Sequence, residues 1–129
     1  MRRVIAILTL SLEITGAARS ENYPVPNGIW RVLRSEINGV TTTFAADPSV
    51  CNASPHMEFA GDRRTWVGIT SQAGHTLRSM KQRDDGSYLL DEGAKPFDIR
   101  VLEIVDLDRI KLTLGNGAVV WLTYCYPGR

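Results

Sequence analysis

The 129-residue chain has only two cysteines and two histidines. A zinc site takes three or four protein ligands. His56 and Glu58 are predicted to lie on one face of a strand, but the other histidine, His75, is distant in the sequence. These three residues do not have the spacing of a zinc-ligand set. The chain also lacks a Gly-x-Ser-x-Gly elbow and any Cys-x-x-Cys pair. From these absences we expect no metal ion, no cofactor and no catalytic residues, and a protein that is not an enzyme.

Long apolar runs are also missing. The longest, over residues 4–12, is about half the roughly 20 residues that a helix needs to cross a bilayer, and Glu13 interrupts it. Two arginines precede this run, and small side chains follow it at Ala18 and Ser20. This layout is typical of a secretory signal peptide. We therefore predict that residues 1–20 direct export to the periplasm or the cell exterior, with no permanent membrane anchor.

The chain has no excess of either charge. It carries 15 Lys and Arg against 14 Asp and Glu, and without the first 20 residues 12 basic and 13 acidic side chains remain. Binding to nucleic acid or to an anionic membrane requires a clustered basic surface. We therefore expect no nucleic-acid partner.

Helical spacing of apolar residues is absent after the signal peptide, and the rest of the chain is typical of an all-β domain. Short runs rich in Val, Ile, Leu, Thr and aromatic residues alternate with turn residues. Residues 21–27, which include two prolines, predict an extended lead-in. Nine strands are predicted, over residues 29–37, 40–46, 57–60, 64–71, 76–83, 87–91, 97–105, 109–114 and 118–126.

The turns support this pattern. Asn38-Gly39, Asp85-Gly86 and Asn116-Gly117 tolerate the positive φ that tight hairpins need. Residues 28–126 are therefore predicted to form one domain, an antiparallel up-and-down meander that closes into a small barrel or a barrel-like sandwich. If Trp30, Phe44, Phe59, Ile69, Leu112 and Trp121 filled its interior and left no cavity of roughly 300 Å³ or more, the domain would have no room for a small ligand.

The two cysteines, Cys51 and Cys125, are expected to form a disulfide. In an oxidising compartment two thiols pair by default when no third competes. In a closed meander the first and last strands are neighbours, which brings a loop near the start within reach of Cys125.

Gly28-Ile29-Trp30, at the start of the first strand and followed by a series of hairpins, resembles the Gly-x-Trp opening of lipocalins and bacterial lipocalin-like domains. The resemblance implies an up-and-down barrel that binds a small apolar ligand in its mouth. It also implies that Trp30 packs across the closed end of the barrel beneath an arginine, for which Arg109 is the candidate.

Gly86-Ser87-Tyr88 resembles a fragment of the Ser-Gly-x-x-Tyr loop of small periplasmic lysozyme inhibitors, which are also exported β-barrels with a disulfide. This resemblance implies a second class of function, the binding of a protein partner.

Arg63, Arg64 and Trp66 form the most distinctive local cluster. Two guanidinium groups beside an indole can bind a carboxylate, a phosphate or an acidic loop of a partner. The alternative is a hairpin turn with one arginine packed on Trp66. We therefore predict an exported binding module for a small, partly apolar ligand, with Trp30, Arg63, Arg64 and Trp66 as candidate binding residues. A protein-binding module, such as an enzyme inhibitor or an envelope accessory protein acting through its loops, is the alternative.

Overall fold

A computed structural model describes residues 21–44, 50–53 and 55–126. The predicted signal peptide lies outside these residues. The described residues form ten strands and no helix, so they contain no helix that could cross a membrane. The strands are β1 (Gly28–Ile37), β2 (Val40–Thr43), β3 (His56–Ala60), β4 (Arg63–Val67), β5 (Gln72–Thr76), β6 (Ser79–Gln82), β7 (Tyr88–Asp91), β8 (Ile99–Asp106), β9 (Arg109–Leu114) and β10 (Val119–Tyr124).

All ten strands belong to one antiparallel sheet, which curls into a half-barrel and confirms the predicted all-β class. The strand order is β5-β4-β3-β1-β10-β9-β8-β7-β6, and β2 pairs with β1 beside β3. The first and last strands are therefore neighbours, as a closing meander requires.

A two-residue corner joins the two ends of the strand order. The backbone N–H of Leu77 donates to the carbonyl of Asp62 (2.7 Å), next to β4, and that of Arg78 donates to the carbonyl of Asp91 (2.8 Å), at the end of β7. The chain thus passes from one edge of the sheet to the other within two residues. The sequence predicted a single strand over residues 76–83, which was wrong: β5 ends at Thr76, and the corner separates it from β6.

The predicted hairpin turns are confirmed. Asn38 and Gly39 both have positive φ, 52° and 80°, which is the backbone of a type I′ turn between β1 and β2. Gly86 and Gly117 also have positive φ, at 89° and 88°. Glycine adopts this conformation at little cost because it has no Cβ.

The core lies on one face of the curled sheet. It is built from residues that alternate along the strands, with fully buried Trp30, Phe59 and Leu112 among them. The lead-in adds Tyr23, which packs edge-on against Phe59 with ring centroids 5.0 Å apart. Phe44 is half-buried against this core.

Ile69 and Trp121, two of the six residues that could have filled the interior, lie elsewhere. Ile69 is 77% exposed, in the connection between β4 and β5, because the fourth strand ends at Val67. Trp121 lies on the opposite face of the sheet from the core, since its neighbours Val120 and Leu122 are the buried ones.

The predicted disulfide is confirmed. Cys51 and Cys125 are bonded, their Cα atoms are 5.5 Å apart, and 74 positions separate them in the sequence. The backbone N–H of Cys125 donates to the carbonyl of Ile29 (2.8 Å), which places the bond beside the start of β1. The disulfide thus ties the loop after β2 to the end of β10.

Candidate functional site

A β-bulge at Leu33 changes which residues of β1 point toward the core. Before the bulge Val32 is paired with Leu122, and both are buried in the core. After it Arg34, two positions further along, is paired with Trp121 instead. Since directly paired residues share a face, the extra residue moves Arg34 to the side of the sheet away from the core.

This displacement creates a row of side chains across five strands of the outer face. In register order the row runs from Thr43 through Arg34, Trp121 and Lys111 to Glu103. The Arg34 guanidinium carbon lies 3.8 Å from the centre of the Trp121 ring, and the Lys111 ammonium lies 5.8 Å from it. The indole therefore has a cation on either side.

A groove of about 390 Å³ opens beside this row, and we call it the Trp121 groove. Its lining includes Ile110 and Leu122, which are buried residues of the core. The other lining residues of the described chain are Leu33, Arg34, Thr43, Val105, Arg109 and Trp121. The groove volume lies within the range of about 300–1,000 Å³ that small-molecule sites occupy.

On the core side, Arg64 and Glu92 belong to a buried polar cluster, which we define as Tyr23, Arg64, His75, Glu92 and Asp98. Arg64 Nε donates to Glu92 Oε2 (2.6 Å) and Arg64 Nη2 donates to Glu92 Oε1 (2.8 Å). The Tyr23 hydroxyl and the Ile99 backbone N–H also donate to this carboxylate. Burial, and next the bond to Glu92, raise the pKa of Tyr23, so the phenol stays protonated.

His75 and Asp98 form the more open end of the cluster. His75 Nδ1 lies 3.0 Å from Asp98 Oδ1, and Asp98 Oδ2 accepts the Lys95 backbone N–H (2.9 Å). Burial alone would raise the pKa of Asp98, but the hydrogen bonds from Lys95 and His75 outweigh it and lower that pKa.

The cluster also brings together three residues with metal-ligating atoms. Atoms of His75, Glu92 and Asp98 lie within 4.8 Å of one another. Both oxygens of Glu92 already accept hydrogen bonds from Arg64, and those of Asp98 are taken by His75 and Lys95. A metal ion would have to displace these donors. The arrangement is therefore that of a structural polar network.

The structure places the four candidate binding residues in different environments. Trp30 is fully buried, and its indole N–H donates to the Pro26 carbonyl (3.2 Å). Arg64 is buried in its ion pair, whereas Arg63, on the other face of β4, is exposed. Trp66 is half-buried against the core. The sequence cluster is thus split between core and surface.

Two other residues considered in the sequence analysis are Arg109, the arginine expected above Trp30, and His56, a possible metal ligand. Arg109 lies opposite Thr123, on the outer face, whereas Trp30 lies on the core face, where its ring contacts are Phe59 and Tyr124. His56 is buried, and its Nδ1 lies 3.1 Å from the Ala53 carbonyl oxygen.

The sequence reasoning missed Arg34 and Trp121 as site residues. Trp121 did not stand out because β10 is apolar on both faces, and the face on which Arg34 lies depends on the bulge. A single-residue bulge leaves no composition signal, so only the register reveals this site. No protein-family model, curated protein or solved structure matches the chain.

Proposed function

We propose that this protein is an exported, non-enzymatic binding module that holds a small, partly apolar ligand in the Trp121 groove. The observation that carries the proposal is the groove itself, a concave site of about 390 Å³ beside an indole on the outer face of the sheet. Export is supported by the Cys51–Cys125 disulfide, since such bonds persist in oxidising compartments.

The groove is built on rigid elements. Its walls come from β1, β2, β8, β9 and β10, and β1 and β10 pair over six registered positions. Sites on paired strands keep their shape in the absence of ligand, which lowers the ordering cost of binding. This outer-face site takes the place of the barrel mouth expected from the lipocalin resemblance.

Leu33 and Val105 supply aliphatic surface, and the part of Trp121 that Arg34 leaves uncovered supplies aromatic surface. Val105 is 57% exposed, although an apolar side chain of this kind is stabilised by removal from water. A ligand that covers Val105 and Trp121 would gain this free energy without any rearrangement of the strands.

The alternative, a protein-binding module anchored by Arg63, Arg64 and Trp66, has less support. Recruitment of the Arg64 guanidinium by a partner would leave the Glu92 carboxylate buried without its cation. Arg63 and the exposed part of Trp66 lie on opposite faces of β4 and cannot form one contact patch. We therefore prefer the groove.

The proposal is tested with the neutral fluorescent probe N-phenyl-1-naphthylamine. We expect saturable binding with enhanced fluorescence, loss of that binding in Trp121→Ala, and retention in the matched control Trp66→Phe. Circular dichroism checks that both variants fold. Binding that survives unchanged in Trp121→Ala, or no binding to the wild-type protein, would contradict the proposal.

A further inference from the structure

The Trp121 groove is flanked by two arginines that form no ion pair within 4.0 Å among the described residues. Its charged lining residues in that part of the chain are Arg34 and Arg109. The ion pairs there, within 4.0 Å, involve Arg64, His75, Arg83 and Lys111. Asp106, opposite Arg109 in the β8–β9 ladder, and Asp108, its neighbour in the chain, are near enough for the Arg109 charge to act on their carboxyls but lie outside this distance. The groove therefore presents two positive charges that the described protein does not neutralise by direct pairing.

The register brings both guanidinium groups within reach of one point. Arg34 pairs with Trp121 from β1, and Arg109 pairs with Thr123 from β9, two positions along the same face of β10. With strands about 4.8 Å apart and about 3.4 Å per residue, the two Cα atoms lie roughly 12 Å from each other. Two arginine side chains span that distance from opposite sides, so both can contact a small group held over Trp121 and Thr123.

The stack on Trp121 orients Arg34 for this task. The Arg34 guanidinium carbon lies 3.8 Å from the ring centre, and this cation–π contact holds the group over the indole. The forked N–H donors of a guanidinium match the paired oxygens of a carboxylate or phosphate. Fixing the fork in advance reduces the entropy lost when an oxyanion binds.

We propose that the ligand of the Trp121 groove carries an oxyanionic head group, a carboxylate or a phosphate, on an apolar body that packs against Trp121 and Val105. This inference rests on the proposed function and specifies the class of ligand for that site. A cationic ligand would meet two like charges, and a neutral one would leave the forked donors to water.

The test compares three naphthalene compounds that differ in the head group, namely 2-naphthoate, 2-naphthamide and 2-naphthylmethylammonium. Binding is followed by the indole N–H signals of the three tryptophans in nitrogen-15 NMR spectra. The Trp121 signal is assigned with Trp121→Phe, and Trp30 and Trp66 serve as internal controls. We expect 2-naphthoate to shift the Trp121 signal and to bind about tenfold or more tightly than the amide, as charge-assisted hydrogen bonds imply. The ammonium compound should bind weakest.

Two arginine variants test which side chain causes the preference for the oxyanion. Arg34→Met keeps an unbranched apolar stem but removes the guanidinium, and it should reduce the preference for 2-naphthoate over 2-naphthamide to near one. Arg63→Met, at an exposed arginine of β4, should leave the preference unchanged. A series with 2-naphthyl phosphate then decides between the two oxyanions, and tighter binding of either one than of the amide supports the proposal.

The outcomes separate the two proposals. Equal binding of 2-naphthoate and 2-naphthamide at Trp121, or tightest binding of the ammonium compound, would overturn the oxyanion inference and leave the groove function in place. Failure of all the naphthalene compounds to shift the Trp121 signal, together with failure of the neutral fluorescent probe, would overturn both.

Discussion

Arg64 and Glu92 form a two-pronged ion pair inside the half-barrel, with N–O distances of 2.6 and 2.8 Å and both side chains at most 2% exposed. Arg64 belongs to β4, near one end of the strand order, and Glu92 directly follows β7, near the other. The pair therefore connects across the core two parts of the sheet that are not hydrogen-bonded neighbours. A further Arg64 hydrogen bond, to the Phe97 carbonyl (3.0 Å), adds to this connection.

Such a pair is costly to disrupt. The charges have been removed from water, and their mutual attraction and hydrogen bonds offset that cost only while both partners are present. Tyr23 and the Ile99 backbone N–H complete the hydrogen bonds of the carboxylate. The polar cluster therefore favours one curvature of the sheet over others.

The first prediction concerns loss of the buried cation. Arg64→Met leaves Glu92 buried and unpaired, and we expect the free energy of unfolding to fall by about 3–5 kcal/mol. Arg63→Met, at the adjacent exposed position, should change it by about 0.5 kcal/mol or less. Urea denaturation measures both. The double variant Arg64→Met/Glu92→Met should recover part of the loss, because it removes the orphaned charge. Equal effects of the two single substitutions would contradict a structural role of the pair.

The second prediction concerns the disulfide. A bond that links residues 74 positions apart stabilises by roughly 4 kcal/mol in the loop-entropy description. We expect Cys51→Ser/Cys125→Ser to lose about that amount in urea denaturation. Thiol titration of the denatured, unreduced wild-type protein should find no free thiol. Two free thiols per chain would show that the bond does not form.

Much of the fold follows from local sequence signals. Asn38-Gly39 and Asn116-Gly117 mark their hairpins because few other residues adopt positive φ cheaply, and the alternation of apolar residues in β9 marks its buried face. Pairing of Cys51 with Cys125 follows from the absence of any competing thiol.

The errors have a common physical origin in tertiary structure. β5 was missed because Gln72–Thr76 is polar and exposed, so it has no buried face to produce an apolar pattern. Arg64 was placed in a surface cluster because its partner, Glu92, is 28 positions away. The Trp121 groove depends on the bulge at Leu33, which alters register without altering composition. Each of these features is set by contacts between distant segments.

The third prediction concerns acid stability. The folded-state pKa of Asp98 is lowered, so this carboxylate stabilises the fold fully above its unfolded pKa, about 3.9, and the contribution is lost as pH falls through the lower folded value. Below about pH 4, protonation of Asp98 lowers the free energy of unfolding of the wild-type protein. The Asp98→Asn variant has no carboxyl to protonate there, so it should not show this part of the decrease. Denaturation midpoints measured from pH 2 to pH 6 should fall less steeply with decreasing pH for the variant than for the wild-type protein. Parallel pH profiles for the two proteins would contradict this role of Asp98.

The fourth prediction contrasts two glycines. Gly28 has φ +135°, and a Cβ there would lie 3.0 Å from both Cε1 and Oη of Tyr124. The Tyr124 ring packs against Trp30, and its hydroxyl donates to the Asn27 carbonyl (3.1 Å), so it cannot move away without loss of these contacts.

Gly28→Ala should therefore lower the free energy of unfolding by about 1–3 kcal/mol, the usual cost of such backbone strain. Gly74 in β5 has no atom within 4 Å of the corresponding position and no positive φ. Gly74→Ala should instead raise the free energy of unfolding by about 0.4–1 kcal/mol, since alanine restricts the unfolded chain. Urea denaturation of the two variants tests the contrast. If Gly28→Ala proved as stable as Gly74→Ala, the close approach of β1 to Tyr124 would be wrong.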